Sequence, residues 1–84
     1  MVTSFTILAW GKTMKLVDDL MEIAHTDEQF LYISITPKFV YYNSKDLTSQ
    51  EIRHRLTGLG KCEIHKRTLF DNTQNLVARF DRLE

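Results

Sequence analysis

The segment "FTILAWGKT", residues 5–13, ends in the Gly-Lys-Thr triplet that also closes a phosphate-binding P-loop. A P-loop needs an earlier glycine five positions before the second one, because its backbone amides must wrap around phosphate oxygens. Here that earlier position is Thr6, and residues 6–10 read "TILAW", which is typical of a strand. The sequence therefore argues against a P-loop. It favours a turn at Gly11 and a helix that opens at Lys12 and Thr13.

The histidines and the single cysteine could in principle hold a metal or act as a nucleophile. No two of the three histidines have the i, i+4 spacing of a helical zinc site. Cys62 and His65 would point to opposite faces of a regular strand. We therefore predict no metal, no cofactor and no catalytic residue, and we expect the chain not to be an enzyme. A lone cysteine also excludes an intrachain disulfide and fits a reducing compartment.

Aromatic and basic side chains are the better candidates for function, because aromatics on strands cannot all lie beneath helices. Exposed aromatics on a sheet can form a protein interface or stack nucleic-acid bases. We expect an outward, partner-binding set consisting of Trp10, Phe30, Tyr32 and Tyr41. As the alternative, a rim that contacts nucleic-acid phosphates could be formed by Lys61, Lys66 and Arg67.

The first half of the chain predicts three strands and a helix. Ser4 to Trp10 is rich in β-branched and aromatic residues, which favours a strand. The helix covers Thr13 to His25, and its apolar spacing predicts one buried stripe. Phe30–Thr36 and Phe39–Asn43 flank Pro37 and predict a hairpin. In the first of these strands Leu31, Ile33 and Ile35 are expected in the core. The stripe of the helix consists of Met14, Val17, Leu20, Met21 and Ala24.

The second half predicts a helix, a strand and a terminal element. Thr48 and Glu51 have the spacing of a capping box, so the helix should begin at Thr48 and end near Gly58 or Gly60. Lys61 to Phe70 alternates and predicts a strand. Residues 71–84 then predict a short C-terminal helix, with a strand as the alternative. The helical spacing rests on Leu76, Val77, Phe80 and Leu83.

This order of elements predicts a small α+β fold. It is β-α-β-β-α-β plus a terminal element, the ferredoxin-like pattern. The expected architecture is a single domain, residues 1–84. Its four-stranded antiparallel sheet carries both helices on one face and leaves the other face partly open.

Charge and hydropathy limit the class of function. The chain has 84 residues, with 11 Lys and Arg against 11 Asp and Glu, so its formal net charge is zero. A strongly basic nucleic-acid binder would carry a positive excess. No apolar run is long enough to span a membrane, and the first residues do not have the pattern of a secretory signal. We therefore expect a cytoplasmic protein.

The stretch "FLYISITPKFVYYNSKDLTSQEIRHRLTGLGKCEIHKR", a hairpin, a capped helix and an alternating strand, resembles the small Cas2-like and SinR-like ferredoxin-like proteins. The resemblance implies a homodimer and a role around nucleic acids, mobile-element defence or toxin–antitoxin control. The nuclease members carry an aspartate at the end of the first strand, where this chain reads Ala9-Trp10-Gly11. Nuclease activity is therefore not expected.

Taken together, these observations predict a non-catalytic interaction protein. It would act by binding a protein partner, as an inhibitor, an antitoxin or a phage anti-defence protein, and it would itself be a homodimer. The alternative is a nucleic-acid-binding module that uses the sheet aromatics and the basic rim.

Overall fold

The protein begins with one long helix. The structure is a computed structural model that describes residues 2–68 and 72–82, with side chains from residue 11 onward. Helix α1 covers Val2–Thr26, so the predicted strand at Ser4–Trp10 is wrong. Strand propensity is a weak preference that context overrides, and no proline interrupts this stretch. The predicted turn at Gly11 is wrong as well. Gly11 lies inside α1, and a Cβ there would meet nothing within 4 Å.

Four strands form one antiparallel sheet. They are β1 (Phe30–Ile35), β2 (Phe39–Ser44), β3 (Cys62–Thr68) and β4 (Gln74–Asp81). Their order across the sheet is β1-β2-β4-β3, and every neighbouring pair is antiparallel. The predicted hairpin across Pro37 and the predicted strand after Gly60 are confirmed. Gly60 has a φ of 124°, a left-handed value that favours glycine.

The C-terminal element is a strand, so the predicted C-terminal helix is wrong within the described residues. In β4, Leu76, Ala78 and Phe80 are at most 2% exposed and alternate with less buried neighbours from Val77 onward. Two of the residues on which the predicted helix rested, Leu76 and Phe80, are also compatible with this period of two. Tertiary pairing decides between the two, because β4 lies between β2 and β3 and bonds to both.

The observed order is α-β-β-α-β-β. The predicted order, β-α-β-β-α-β, becomes this one when its first strand is moved to the end. The coarser prediction is confirmed: this is a small α+β fold with two helices and an open, four-stranded antiparallel sheet.

The apolar core lies between the two helices and one face of the sheet. Both helices and the two central strands supply its buried apolar side chains. Its buried members are Leu16, Leu20, Val40, Tyr42, Ile52, Leu56, Leu76, Ala78 and Phe80.

The buried stripe of α1 matches the predicted one in part. Leu20 is buried and Val17 and Ala24 pack against the core as predicted, and Leu16 joins them. Met14 is 45% exposed and Met21 is 41% exposed, so their predicted place in the buried stripe is wrong.

Helix α2 covers Gln50–Thr57 and begins one residue later than the capping box predicts. Its N-cap is Ser49, whose hydroxyl accepts a hydrogen bond from the Ile52 amide. Thr48 is instead part of the preceding turn. Its amide and hydroxyl both donate to Asp46 Oδ1, at 2.7 and 3.0 Å. The bond from the Thr48 amide is the main reason that the pKa of Asp46 is lowered.

A buried polar joint connects the end of α1 to the sheet. The Tyr42 hydroxyl donates to Asp27 Oδ2 at 2.7 Å. The other carboxylate oxygen of Asp27 accepts from the Gln29 amide, and its carbonyl accepts from the Phe30 amide. Burial, together with the neighbouring carboxylate, raises the pKa of Tyr42. Asp27 therefore fixes how the chain leaves α1 and enters β1.

Candidate interaction surface on the open sheet face

The face of the sheet that points away from the helices is the candidate site, and we call it the open face. Because side chains alternate along a strand, the residues on either side of a core residue in the same strand point to the open face. Across the central rows of the sheet, Tyr41 lies opposite Arg79 and Arg79 opposite Glu63, while Asn43 lies opposite Val77 and Val77 opposite His65. The polar and aromatic residues of the open face are Tyr32, Ser34, Phe39, Tyr41, Asn43, Glu63, His65, Arg67, Asn75, Arg79 and Asp81.

A bulge in β1 decides which of its aromatics reaches this face. The register shifts between Phe30 and Tyr32, so one extra residue lies between them. Phe30 consequently packs against the core, with its ring centroid 5.1 Å from that of Tyr42. The predicted outward position of Phe30 is therefore wrong. Tyr32 does point outward and is 44% exposed.

The same shift changes the predicted core set of β1. Ile33 packs against the core, whereas Ile35, at the end of this edge strand, is 43% exposed. Leu31 is the extra residue of the bulge and is half-buried. Simple alternation therefore predicts only part of this strand.

Tyr32 and Arg67 form a bridge across the whole sheet. They lie on the two outermost strands, which are about 14 Å apart when neighbouring strands are about 4.8 Å apart. Arg67 Nη1 donates to the Tyr32 hydroxyl at 2.7 Å, and the guanidinium carbon is 5.7 Å from the ring centroid. Their side chains must therefore extend over β2 and β4.

Beneath this bridge lies an amide without a partner. Asn75 is directly opposite Arg67 and has no exposed surface. Neither polar atom of its side chain has a hydrogen-bond partner, and the same holds for Arg67 Nε among the described residues. Leaving a buried polar group unsatisfied costs about 1–3 kcal/mol. Asn43, which lies on the same face, does donate to the Tyr32 carbonyl at 3.3 Å.

A second cluster lies toward the other end of the open face. Phe39 meets Tyr41 edge to face at 6.0 Å, and the Arg79 guanidinium lies 4.4 Å from the Phe39 ring centroid. Arg79 also donates to Glu63, and His65 lies 3.2 Å from the same carboxylate. A cavity of about 260 Å³ adjoins this cluster; it is lined by Phe39, Lys61, Cys62, Glu63, Arg79 and Asp81.

The predicted basic rim is not brought together as one surface. Arg67 is on the open face, whereas Lys66 lies opposite Leu76, on the face that carries the helices. Lys61 precedes β3 and lines the cavity near Arg79. Adjacent strand residues point to opposite faces, so Lys66 and Arg67 cannot contact one flat ligand together.

The predicted partner-binding aromatics are distributed differently as well. Tyr32 and Tyr41 share the open face, Phe30 is in the core, and Trp10 belongs to α1 rather than to a strand. The side chain of Trp10 lies outside the described residues. The sequence prediction did not include Asn75, Phe39 or Arg79. Arg79 and Asn75 were missed because β4 was assigned to a helix, and period-two alternation from Asn75 to Phe80 could have revealed them.

Other features of the described residues concern metals, membranes and the thiol. Within these ranges no group of three or more His, Cys, Asp and Glu could hold a metal ion. None of the described helices combines the length and the apolarity needed to span a membrane. Burial raises the pKa of the Cys62 thiol.

Comparison of the chain with protein-family models, with curated proteins and with solved structures gives no match.

Proposed function

We propose that this chain is a non-catalytic interaction protein that binds a protein partner through the open face. The observation that carries the proposal is the Tyr32–Arg67 bridge above the unsatisfied amide of Asn75. Native proteins rarely keep a buried polar group without a partner, and such exceptions concentrate at functional sites. A partner that displaces the bridge would reach both Asn75 and the Arg67 guanidinium.

The composition of the open face favours a protein over a nucleic acid. Tyrosine, phenylalanine and arginine are enriched in protein interfaces and at their hot spots. Two arginines on this face, Arg67 and Arg79, are balanced by the acids Glu63 and Asp81. A nucleic-acid surface needs a positive excess to neutralise phosphates. Nucleic-acid binding is therefore the second candidate, and the contact of Arg67 with the Tyr32 ring is the observation that favours it.

The wider proposal concerns fold, biological role and location. We regard the fold as a circular permutation of the ferredoxin-like fold, in which β4 takes the place of a missing first strand. The resemblance to the Cas2-like and SinR-like proteins suggests an inhibitor, antitoxin or phage anti-defence role for a homodimer. The single cysteine supports a reducing compartment, the cytoplasm.

Affinity capture from the native host lysate tests the proposal. Tagged wild-type chain should retain one stoichiometric protein partner after nuclease treatment. Tyr32→Ala and Arg67→Ala should each weaken capture, since truncation of an interface anchor costs about 2 kcal/mol, or about 30-fold in Kd.

The matched control for this experiment is Lys66→Ala. It changes the neighbour of Arg67 on the opposite face and should bind normally. If the partner is lost with nuclease, the nucleic-acid alternative replaces the proposal. If both open-face variants bind like wild type, the assignment of the site is wrong.

A further inference from the structure

The two unsatisfied atoms of the Asn75 side chain determine which chemical group can pair with them. Nδ2 is a hydrogen-bond donor and Oδ1 is an acceptor, and neither has a partner among the described residues. Both atoms are buried, because Asn75 has no exposed surface. A ligand that satisfies both must therefore present an acceptor and a donor side by side.

This requirement excludes the common anions as the group that pairs with Asn75. Ionised carboxylates carry only acceptors, as phosphate diesters do, so they would leave Oδ1 without a donor. A residue of an extended peptide does match, because its N–H and C=O point to the same side. Paired antiparallel strands exchange both of their hydrogen bonds through such residues. One extended residue of a partner therefore satisfies both atoms of the amide at once.

The edge of an adenine base is the other group that offers a donor beside an acceptor, and asparagine pairs with it in many complexes. Charge favours the peptide over the base. A nucleic acid brings phosphates with its bases, and a surface that binds it needs a positive excess to neutralise them. The chain has a formal net charge of zero.

Arg67 adds a second requirement, which is a negative charge. It lies directly opposite Asn75, and the Tyr32 hydroxyl that it contacts is neutral. Among the described residues no carboxylate pairs with Arg67, whereas Arg79 pairs with Glu63. Glu63 lies about 14 Å before Arg67 along β3, at about 3.4 Å per residue. A carboxylate from a ligand would give Arg67 the charged partner that it lacks.

The Tyr32–Arg67 bridge that lies over the amide is weak enough to open. It consists of one hydrogen bond at 2.7 Å and a guanidinium contact 5.7 Å from the ring centroid. Tyr32 is exposed, so water can replace the hydrogen bond when the bridge opens. Rotation of the Arg67 side chain would uncover Asn75 and free the guanidinium for a ligand.

We propose that the open face binds an extended peptide segment that carries an acidic side chain. The main chain of one peptide residue pairs with both polar atoms of Asn75. The carboxylate of a neighbouring Asp or Glu of the peptide pairs with Arg67 in place of Tyr32. This inference rests on the proposed function, because it names the part of the protein partner that the open face contacts.

A random peptide library displayed on phage tests the inference without the native partner. Selection on the wild-type chain should enrich peptides that have Asp or Glu at one fixed position. One such peptide is then synthesised in versions that each carry a single N-methyl group on the main chain. Methylation of the residue that pairs with Asn75 leaves Oδ1 without its donor and should raise the Kd at least about 10-fold. Alanine at the same peptide position should change the Kd by less than about 3-fold, because its main chain is intact.

Fluorescence anisotropy of the same peptide compares variants of the protein. Asn75→Leu removes both polar atoms and should raise the Kd at least about 10-fold, although the variant remains folded. Arg67→Gln should abolish the preference for Asp or Glu in the peptide. Lys66→Ala is the matched control, because Lys66 lies on the opposite face of β3, and it should bind like wild type.

The inference is overturned if the library yields no peptide, if no N-methyl group weakens binding, or if Asn75→Leu binds the peptide like wild type. It is also overturned if single-stranded oligodeoxyadenylate binds wild type and is lost in Asn75→Leu, because the amide would then pair with a base. A lysate partner that Tyr32→Ala and Arg67→Ala lose but Asn75→Leu retains would overturn this inference and leave the proposed function standing.

Discussion

At the scale of single residues, one buried polar side chain of the sheet stabilises the fold and another destabilises it. Tyr42 is fully satisfied, because its hydroxyl donates to Asp27 and its ring belongs to the core. Asn75 is equally buried, and its side-chain amide has no hydrogen-bond partner among the described residues. One therefore supports the fold, whereas the other is retained at a cost to it. This contrast is the reason for proposing the open face as the binding surface.

Removing the Tyr42 hydroxyl should destabilise the protein. Tyr42→Phe leaves a buried carboxylate oxygen of Asp27 without its donor, and hydrogen bonds to charged groups contribute about 1.5–3 kcal/mol. Urea unfolding should show a loss of this size in the free energy of unfolding. Tyr41→Phe is the control, because no hydrogen bond of its hydroxyl is found among the described residues. An equal loss in both variants would contradict the role of Asp27.

Replacing the unpartnered amide should stabilise the protein. Asn75→Leu keeps the branched shape of the side chain and removes two unsatisfied polar atoms, so the free energy of unfolding should rise by about 1–2 kcal/mol. Asn43→Leu, on the same face, removes a donor to the Tyr32 carbonyl and should not stabilise. Thermal unfolding measures both. A destabilised Asn75→Leu variant would show that the amide has a structural partner after all.

At the scale of elements, the sequence predicts a strand correctly where its local pattern agrees with its pairing in the sheet, and fails where the pattern fits both a helix and a strand. The hairpin of β1 and β2 could be predicted because Pro37 and the alternating runs on both sides of it agree with the final pairing. The structure of residues 4–10 could not be predicted, because their apolar and β-branched side chains are compatible with a strand as well as with the helix that is observed. The same ambiguity affected β4, because the spacing of Leu76 and Phe80 fits both the helical period of 3.6 residues and the strand period of two.

Residues of the candidate site could be predicted only on those strands that were themselves predicted correctly. Tyr32 and Tyr41 were correctly expected to point outward because alternation in the hairpin holds beyond the bulge. Phe30 was not, since a one-residue bulge reverses the face of everything before it. The Tyr32–Arg67 contact joins residues 35 positions apart, and it depends on β4 being inserted between the hairpin and β3.

The start of α2 provides a test at this scale. Ser49→Ala removes the hydroxyl that accepts from the Ile52 amide, and loss of an N-cap typically costs about 1 kcal/mol. Thr48→Ala removes only an exposed hydroxyl bond to Asp46 and should cost less. Urea unfolding of the two variants compares them. A larger loss for Thr48→Ala would restore the capping box as the start of the helix.

At the scale of the whole molecule, the two faces of the sheet carry different side chains. One face holds the core and both helices, while the open face presents aromatics and arginines.

Charge balance predicts a weak dependence of partner binding on salt. The chain has a formal net charge of zero, and the arginines of the open face are matched by two acids. The Kd for the partner should change by less than about 10-fold between 50 and 200 mM salt, whereas six phosphate contacts would cost about 10³-fold. Isothermal titration at several salt concentrations measures this slope. A steep slope would favour the nucleic-acid alternative.

Site-specific photo-crosslinking reports which surface touches the partner, and it therefore tests whether the open face is the binding surface. A benzophenone amino acid would replace Tyr41 on the open face in one chain and exposed Glu51 on α2 in another. The Tyr41 probe should crosslink a protein partner in nuclease-treated lysate, and the Glu51 probe should not. Crosslinking of the same partner from Glu51, with none from Tyr41, would show that the open face is not the binding surface.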